Sequence, residues 1–363
     1  MIKRIRVKNF KCFQQLDLTT ERVNVLSGIN GMGKSTIIQS ILLLYQSFLK
    51  DKGLERLYLN EKYVELGNAE DILYEKAEND EINFLFEWEG GFSEFDFSHV
   101  LNSDYLPACH RSGLGCLKEL FGRKLIYISA YRIRPEKAYS IINEDELADR
   151  EFGNNGEYAL QYLSEYGDME VSNCKVLIED KLGNSLSNQT RIWMDKISLG
   201  VSPLIKVDKQ YRSSELEYEF IEGKEKTSSY KSVNVGFGIT YVLPLVITLL
   251  SAREGDIVLM ENPEAHIHPA GQRILGELIA MAGEGGVQIF VETHSDHVLN
   301  GIRLAVKQGK IENKNVKLNF FYKDIEDGYK HKCISPVIQT DGRLDIWPEG
   351  FFDEWDKAVF ELF

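Results

Sequence analysis

Glu261, Asn262 and Glu264 close an apolar run, Ile257-Val258-Leu259-Met260, in the stretch DIVLMENPEAHIHP. A carboxylate at the end of a buried strand can hold a divalent cation, and a second carboxylate beside it can take a proton from an attacking water. Here the second place holds an amide, which can orient water but cannot take its proton. Glu264 is the nearest substitute, two residues on and beyond Pro263. His266 and His268 follow at alternate positions, a spacing that puts both rings on one face of a strand. Glu264, His266 and His268 thus form a candidate metal set for a metal-dependent hydrolase. Three chemistries stay open on these residues: proton removal by Glu264, water held by Asn262 without proton removal, or a metal centre.

A second stretch narrows the choice. Gly28-Ile29-Asn30-Gly31-Met32-Gly33-Lys34-Ser35 fits G-x4-G-K-[ST], the phosphate loop of nucleotide-binding proteins. Glycines let successive backbone N–H groups turn inward around phosphate oxygens, and the helix that follows adds its positive dipole end. Asn30, Gly31, Gly33, Lys34, Ser35 and Thr36 are the nucleotide-binding candidates. Lys34 would reach the terminal phosphates, and the Ser35 hydroxyl would ligate Mg²⁺. The implied cofactors are ATP and Mg²⁺. Glu261 then reads as the Mg²⁺-side acid, with Ser35 and Glu261 as the metal pair.

Two further segments could complete such a site. The run Val287-Gln288-Ile289-Phe290-Val291 leads into Glu292-Thr293-His294-Ser295, where His294 could sense a terminal phosphate. Asn234-Val235-Gly236-Phe237-Gly238-Ile239-Thr240 opens a long apolar helix. Gly236 and Gly238 make this helix start a second anion-binding end, which suggests a site completed in trans by a second copy.

These residues need elements to hold them. Residues 2–7 and 12–18 read as strands about a turn, Val23–Leu26 as a third strand, and 36–48 as an apolar helix. Residues 82–88 and 92–97 read as a hairpin, and 125–129 as a short buried strand. From 237 onward helix, strand, helix, strand and helix alternate at 237–252, 256–260, 270–283, 286–292 and 295–308, the pattern of a parallel sheet covered by helices. The tail returns to strands near 316–322 and 332–338. The expected fold is α/β, with a mixed or parallel core sheet, an N-terminal antiparallel β-lobe and a helical insertion. The expected domains are 1–134, carrying the phosphate loop; 135–229, an inserted lid or arm; 230–325, the second half of the site; and 326–363, a C-terminal extension.

Composition sets bounds. The 363 residues are 43% hydrophobic and 27% charged, which suits a globular protein. No apolar run approaches the roughly 20 residues of a membrane helix, so a cytoplasmic protein without membrane contact is expected. The five scattered cysteines argue against a disulfide framework. Cys109, His110 and Cys116 are weak candidates for metal ligands, lacking a fourth. The net charge is −14, yet residues 1–50 carry 8 basic and 2 acidic residues while residues 51–100 carry 4 and 14. The basic stretch Lys3, Arg4, Arg6, Lys8 and Lys11 is either a nucleic-acid face or, the blander reading, the solvated edge of a hairpin.

Taken together, the motifs resemble the ABC-type ATPase heads of the RecF and structural-maintenance-of-chromosomes (SMC) group. The resemblance is carried by IKRIRVKNFKCFQQLDL and VNVLSGINGMGKSTIIQSILLL at the N-terminus, by VNVGFGITYVLPLV as the signature helix, by IVLMENPEAHIHP as the acid strand and by VETHSDHVLNGIR as the switch histidine. YISAYRIRP and WPEGFFDEW are similar to segments of small, coiled-coil-free bacterial ATPases, kin to the ATPase half of overcoming-lysogenization-defect (OLD) nucleases. The resemblance implies ATP-driven pairing of two heads into a homodimer or larger oligomer, Gly236 and Gly238 facing the partner's nucleotide and His294 acting as the switch. It also implies work on DNA and a nuclease effector in phage defence. No nuclease-like cluster follows residue 300, so the effector is expected to be a separate chain. The departure from the family pattern is Asn262, where many such heads carry the catalytic glutamate. The competing expectation is therefore a slow or hydrolysis-deficient, ATP-bound scaffold.

Overall fold

The computed structural model describes residues 1–222 and 225–362. The chain divides into two compact units. Unit 1 comprises Met1–Leu125, Val316–Val337 and Leu344–Phe363, and unit 2 comprises Ile126–Asn315 and Ile338–Arg343.

Unit 1 contains an antiparallel sheet whose strands run in the order Phe13–Thr19, Ile2–Phe10, Glu81–Trp88, Gly91–Ser98, Tyr105–Ser112 and Arg56–Tyr58. The N-terminal strand alternates as its sequence suggests, with Ile5 and Val7 buried and the intervening basic side chains on the other face. Those side chains meet acids from neighbouring strands. Arg4 donates to Asp17 and Glu87, Arg6 donates to Glu94, and Lys3 pairs with Glu21 and Glu89. Part of the charge asymmetry between residues 1–50 and 51–100 is thus pairing of Lys3, Arg4 and Arg6 with Glu89, Glu87 and Glu94. Contrary to the hairpin-edge expectation, the strand carrying Lys3, Arg4, Arg6 and Lys8 is paired on both sides, and three of the five cations of the basic stretch are held by carboxylates.

In the same unit, Val23–Gly28 pairs in parallel with Val316–Asp324, which pairs antiparallel with Lys330–Ile334. Residues 23–27 are buried throughout, and the buried Asn24 side chain accepts from the Glu21 N–H at 2.8 Å and donates to the Glu21 carbonyl at 2.6 Å. This strand delivers the chain into the glycine loop and the helix Lys34–Lys50.

Unit 2 is built on the parallel pair Ile257–Glu261 and Gln288–Glu292, in register from Ile257↔Gln288 to Glu261↔Glu292. The strand Leu125–Ile128 lies on the other side of Ile257–Glu261. The helix Phe237–Ser251 is buried from Thr240 to Leu250. It is apolar on every side, as a helix surrounded by protein must be, and it packs against the helices Ala159–Tyr166, Leu186–Ile197 and Pro269–Glu284. The region 135–229, expected as a lid or arm, falls inside this unit. Trp193 is fully buried there, its indole N–H donating to the Val176 carbonyl at 2.9 Å. The acid strand is anchored at its start by a buried ion pair, Arg150 with Asp256, and Asp256 also accepts from the Arg253 N–H at 2.7 Å.

The stretch 100–121, which shows no clear periodicity, holds the strand Tyr105–Ser112 and the helix Leu114–Phe121. Pro107 and the polar Cys109-His110-Arg111 hide that strand in the sequence; it is fixed by pairing with Gly91–Ser98 and Arg56–Tyr58. Among the described residues no helix is long and apolar enough to cross a membrane.

Candidate functional site

The glycine loop of unit 1 has the shape its motif requires. Gly33 is left-handed, at φ 95°, and a Cβ there would lie 2.5 Å from the Phe13 ring and 2.6 Å from Cys12 Sγ. Only glycine satisfies both the angle and the space. The loop candidates Asn30, Gly31, Gly33, Lys34, Ser35 and Thr36 therefore form one continuous turn into the helix that begins at Lys34. Lys34 is 3% exposed. Its ammonium donates to the carbonyls of Gly28 and Ile29, both at 2.9 Å. The loop thus holds its own lysine inside it, a cation bound by two neutral acceptors and ready to exchange them for anionic oxygens.

In unit 2 the acid strand ends beside its parallel neighbour, with Glu261 opposite Glu292. Carboxyl ends of parallel strands are where open α/β sheets place ligands. Glu261 is mostly buried, and burial pushes its carboxyl up from the ordinary value; the Ala130 N–H, the Tyr127 hydroxyl and the Arg132 charge pull it back down. The Ala130 N–H donates to Glu261 Oε2 at 3.3 Å. Burial and the nearby Glu261 carboxylate in turn push the Tyr127 hydroxyl up.

Arg132 holds this strand end in shape. Its guanidinium donates to the carbonyls of Ser129 at 3.1 Å, Glu261 at 2.7 Å and Asn262 at 2.6 Å, and sits 4.3 Å from the centre of the Tyr241 ring. Arg132 is 4% exposed, and burial lowers it to about 10 despite Tyr241, Glu264 and Glu261 nearby. A planar fork suits adjacent carbonyls in a way that a lysine cannot match. Asn262 turns into the left-handed region at φ 44°. Its N–H donates to the Glu292 carbonyl at 2.8 Å, while its side-chain Oδ1 is buried without a hydrogen-bond partner. The turn explains an asparagine here, a residue that tolerates this conformation better than most.

Glu264 is reached by the next bend and points to the neighbouring strand. It accepts from the Thr293 hydroxyl and from the His294 N–H, both at 2.7 Å. Glu261, Asn262, Glu264 and His294 are thus gathered in unit 2 at the ends of one strand pair. Gly238 belongs to the same neighbourhood: a Cβ on it would lie 2.0 Å from the His266 carbonyl. That close approach, and not only an anion-binding helix start, accounts for this glycine. Gly236 is the N-cap of the same helix.

The metal alternative built on Glu264, His266 and His268 is overturned. Glu264 is engaged by Thr293 and His294. The His266 ring stands edge-on to Phe237 and Tyr241 at 4.7 and 5.2 Å. His268 caps the next helix, its Nδ1 accepting from the Ala270 N–H at 3.3 Å. The left-handed backbone at Asn262 and His266 breaks the strand geometry that would have aligned the two rings. Among the described residues no group of three His, Cys, Asp or Glu side chains is placed to hold a metal ion, which also removes the Cys109, His110 and Cys116 idea; Cys109 Sγ instead donates to the Asp96 carbonyl at 3.2 Å. Motif reading passed over Thr293, Tyr127 and Arg132, although YISAYRIRP was a recognisable segment.

Comparison with known proteins bears on the fold that holds these residues. Residues 1–175 match a family described as an AAA ATPase domain, and residues 176–300 match one described as AAA domain, putative AbiEii toxin, Type IV TA system. Two solved Smc head structures share the fold. One is a head bound to the C-terminal winged-helix domain of ScpA, 14% identical, covering 93% of this chain and 98% of the other, with a TM-score of 0.50. The second is a head with an extended coiled coil bound to the C-terminal domain of ScpA, derived from Pyrococcus furiosus, 14% identical, covering 99% of each chain, with a TM-score of 0.51. The chain carries two successive matches to AAA ATPase domains and has the fold of an Smc head. A local match relates this chain to an OLD nuclease of Thermus scotoductus, 43% identical over 44 residues; it spans 12% of the chain and 8% of the nuclease. Residues 311–362 match a family described as Protein of unknown function (DUF3696).

Proposed function

We propose that this ATPase head binds ATP with Mg²⁺, pairs with a second copy while ATP is bound, and separates on hydrolysis. The observation that carries the reading is the phosphate loop: Lys34 is buried against the Gly28 and Ile29 carbonyls beneath a backbone that only glycine at 33 allows. The loop residues suit the phosphates of the nucleotide. Asn30, Gly31, Gly33, Lys34, Ser35 and Thr36 would hold the phosphates, Ser35 and Glu261 the Mg²⁺, and Gly236 and Gly238 would face the second copy's nucleotide. When bound, Mg²⁺ supplies charge neutralisation for phosphoryl transfer, a reaction that depends mainly on positioning and electrostatics. Asn262 would orient the attacking water, Glu264 would receive its proton, and His294 would report the terminal phosphate. Loss of ATP binding and of ATP-dependent pairing in Lys34→Ala is the expected result; unchanged ATP affinity in that variant would sink the reading.

One observation favours a slower machine. The Glu264 carboxylate already accepts two hydrogen bonds from the neighbouring strand, which occupies oxygen lone pairs that an attacking water would need. Turnover measured in the wild type, Asn262→Ala and Glu264→Gln separates the two. Brisk turnover lost in Glu264→Gln supports the hydrolase. Negligible turnover with long-lived ATP-bound assemblies supports the scaffold.

The output of the cycle is proposed to be control of a DNA-related effector, a separate nuclease in bacterial phage defence. Support comes from the local likeness to an OLD nuclease and from the partner-bound Smc heads that share the fold. Co-purification with the product of a neighbouring gene, with and without ATP, tests it.

A further inference from the structure

The phosphate loop of unit 1 has a contact outside the sequence motif. His331, on the strand Lys330–Ile334, lies with Nε2 3.3 Å from the Gly31 carbonyl at the loop's tip. A carbonyl only accepts, so the imidazole is the donor. The His331 ring also meets Phe13 edge-on at 5.9 Å, and Phe13 is the side chain that fills the space beside Gly33. Burial and the opposing Lys323 lower the imidazole, with the backbones of Gly31 and Cys12 acting the other way.

What the bond does follows from peptide geometry. A trans peptide is planar, and its C=O and N–H point in opposite directions. Holding the Gly31 carbonyl toward His331 therefore aims the Met32 N–H away from His331. Gly31 sits at φ 79°, and a Cβ there would meet nothing within 4 Å. The space beside the Gly31 Cα is open, and the hydrogen bond from His331 restrains the 31–32 peptide plane. A phosphate-binding turn needs its N–H groups aligned before the anion arrives, because a competent state populated only in part weakens apparent affinity by that fraction.

We propose that His331 is a positioning residue that presets the Gly31–Met32 peptide plane of the phosphate loop and so raises its affinity for nucleotide phosphate. The proposal rests on the ATP reading above, and its test separates the two. His331→Phe keeps the ring against Phe13 without a donor, His331→Ala removes both, and His331→Gln restores an N–H at similar reach. Affinity for ATP with Mg²⁺ by titration calorimetry should fall about five- to tenfold in His331→Phe and His331→Ala, and stay within about twofold of wild type in His331→Gln. Hydrogen exchange of the nucleotide-free protein over residues 28–35 should quicken in the donor-less variants and revert in His331→Gln. Wild-type affinity and exchange in His331→Phe would overturn the proposal, as would losses that His331→Gln does not recover. If wild type itself binds no ATP, the ATP reading fails while the exchange comparison still decides the role of His331. Should His331→Ala unfold, the Phe and Gln pair carries the test alone.

Discussion

Arg132→Met is the most informative single change, because it removes the clamp on the acid strand and leaves the phosphate loop's sequence intact. Three donations are lost, to Ser129, Glu261 and Asn262. Hydrogen bonds from a charged donor contribute about 1.5–3 kcal/mol each. Against this stands the cost of keeping a guanidinium 96% buried. The lowering of its pKa by burial, to about 10, corresponds to roughly 3 kcal/mol at about 1.4 kcal/mol per pKa unit, a cost the apolar methionine does not carry. The balance is a destabilisation of about 2–4 kcal/mol, since the orphaned carbonyls keep part of their solvation or other partners. For a unit of this size that is a drop in melting temperature of roughly 5–15 °C. Calorimetric melting of the nucleotide-free protein measures it. Turnover should fall by more than ATP affinity does, because Asn262 and Glu264 lose their support while Lys34 does not. Arg132→Lys should recover less than half of either loss, since an ammonium cannot fork to two adjacent carbonyls. A melting temperature within about 1 °C of wild type, with normal turnover, would refute the clamp.

Gly238→Ala tests the close approach to the His266 carbonyl. Alanine in a helix normally gains about 1 kcal/mol over glycine, but a Cβ 2.0 Å from a backbone oxygen should reverse the sign to a loss of about 3 kcal/mol, read by urea unfolding. Asp256→Ala leaves Arg150 buried without its partner and should cost about 3–5 kcal/mol in the same assay, whereas replacing both residues with apolar side chains should cost much less. Glu261→Gln should raise the melting temperature of the nucleotide-free protein while abolishing Mg²⁺-dependent turnover. Because burial raises the folded-state value of Glu261, the wild type is penalised only where the carboxyl is ionised. The advantage of glutamine should vanish below the ordinary glutamate value, open as pH rises past it, and be complete above the raised value; an advantage that grows toward acid would contradict the burial argument.

Much of this was legible in the sequence wherever one residue pattern had one physical cause. Alternating Ile5 and Val7 with Arg4 and Arg6 marked a half-buried strand, and the unbroken apolar course of the Phe237–Ser251 helix marked a central one. The motif glycine at 33 and Lys34 could be named because a phosphate loop leaves few alternatives. What could not be read were contacts made by chain reversal. The left-handed backbone at Asn262 and His266 turns an apparent His-x-His strand into a bend, so a metal set that looked reasonable by spacing dissolves. Arg132 and His331 act on backbone carbonyls about 130 and 300 residues away, and a carbonyl leaves no trace in residue type. Tyr105–Ser112 was missed for a related reason, its strand being imposed by neighbours and not by its own alternation.

The position of Glu264 changes what Asn262 implies. Taken alone, an amide in the usual place of a carboxylate suggests a head that has lost turnover. In the folded chain the next carboxylate ties the acid-strand loop to Thr293 and His294 through one side chain. The loop that would handle water and the residue that would sense phosphate are therefore mechanically one element. Proton uptake by Glu264 would weaken its hold on both donors, since a neutral carboxylic acid is a poorer acceptor than a carboxylate. A carboxylate used this way would serve as a trigger: a step that protonated it would also free His294 to move. Slow turnover and a sharp conformational response would then be two consequences of one arrangement. The prediction that follows concerns order. Glu264→Gln should uncouple His294 from the state of the nucleotide, leaving ATP-dependent pairing intact while the heads no longer separate on the timescale of turnover. If pairing in that variant still tracks phosphate release as in wild type, Glu264 is a base or a spectator, and the coupling lies elsewhere.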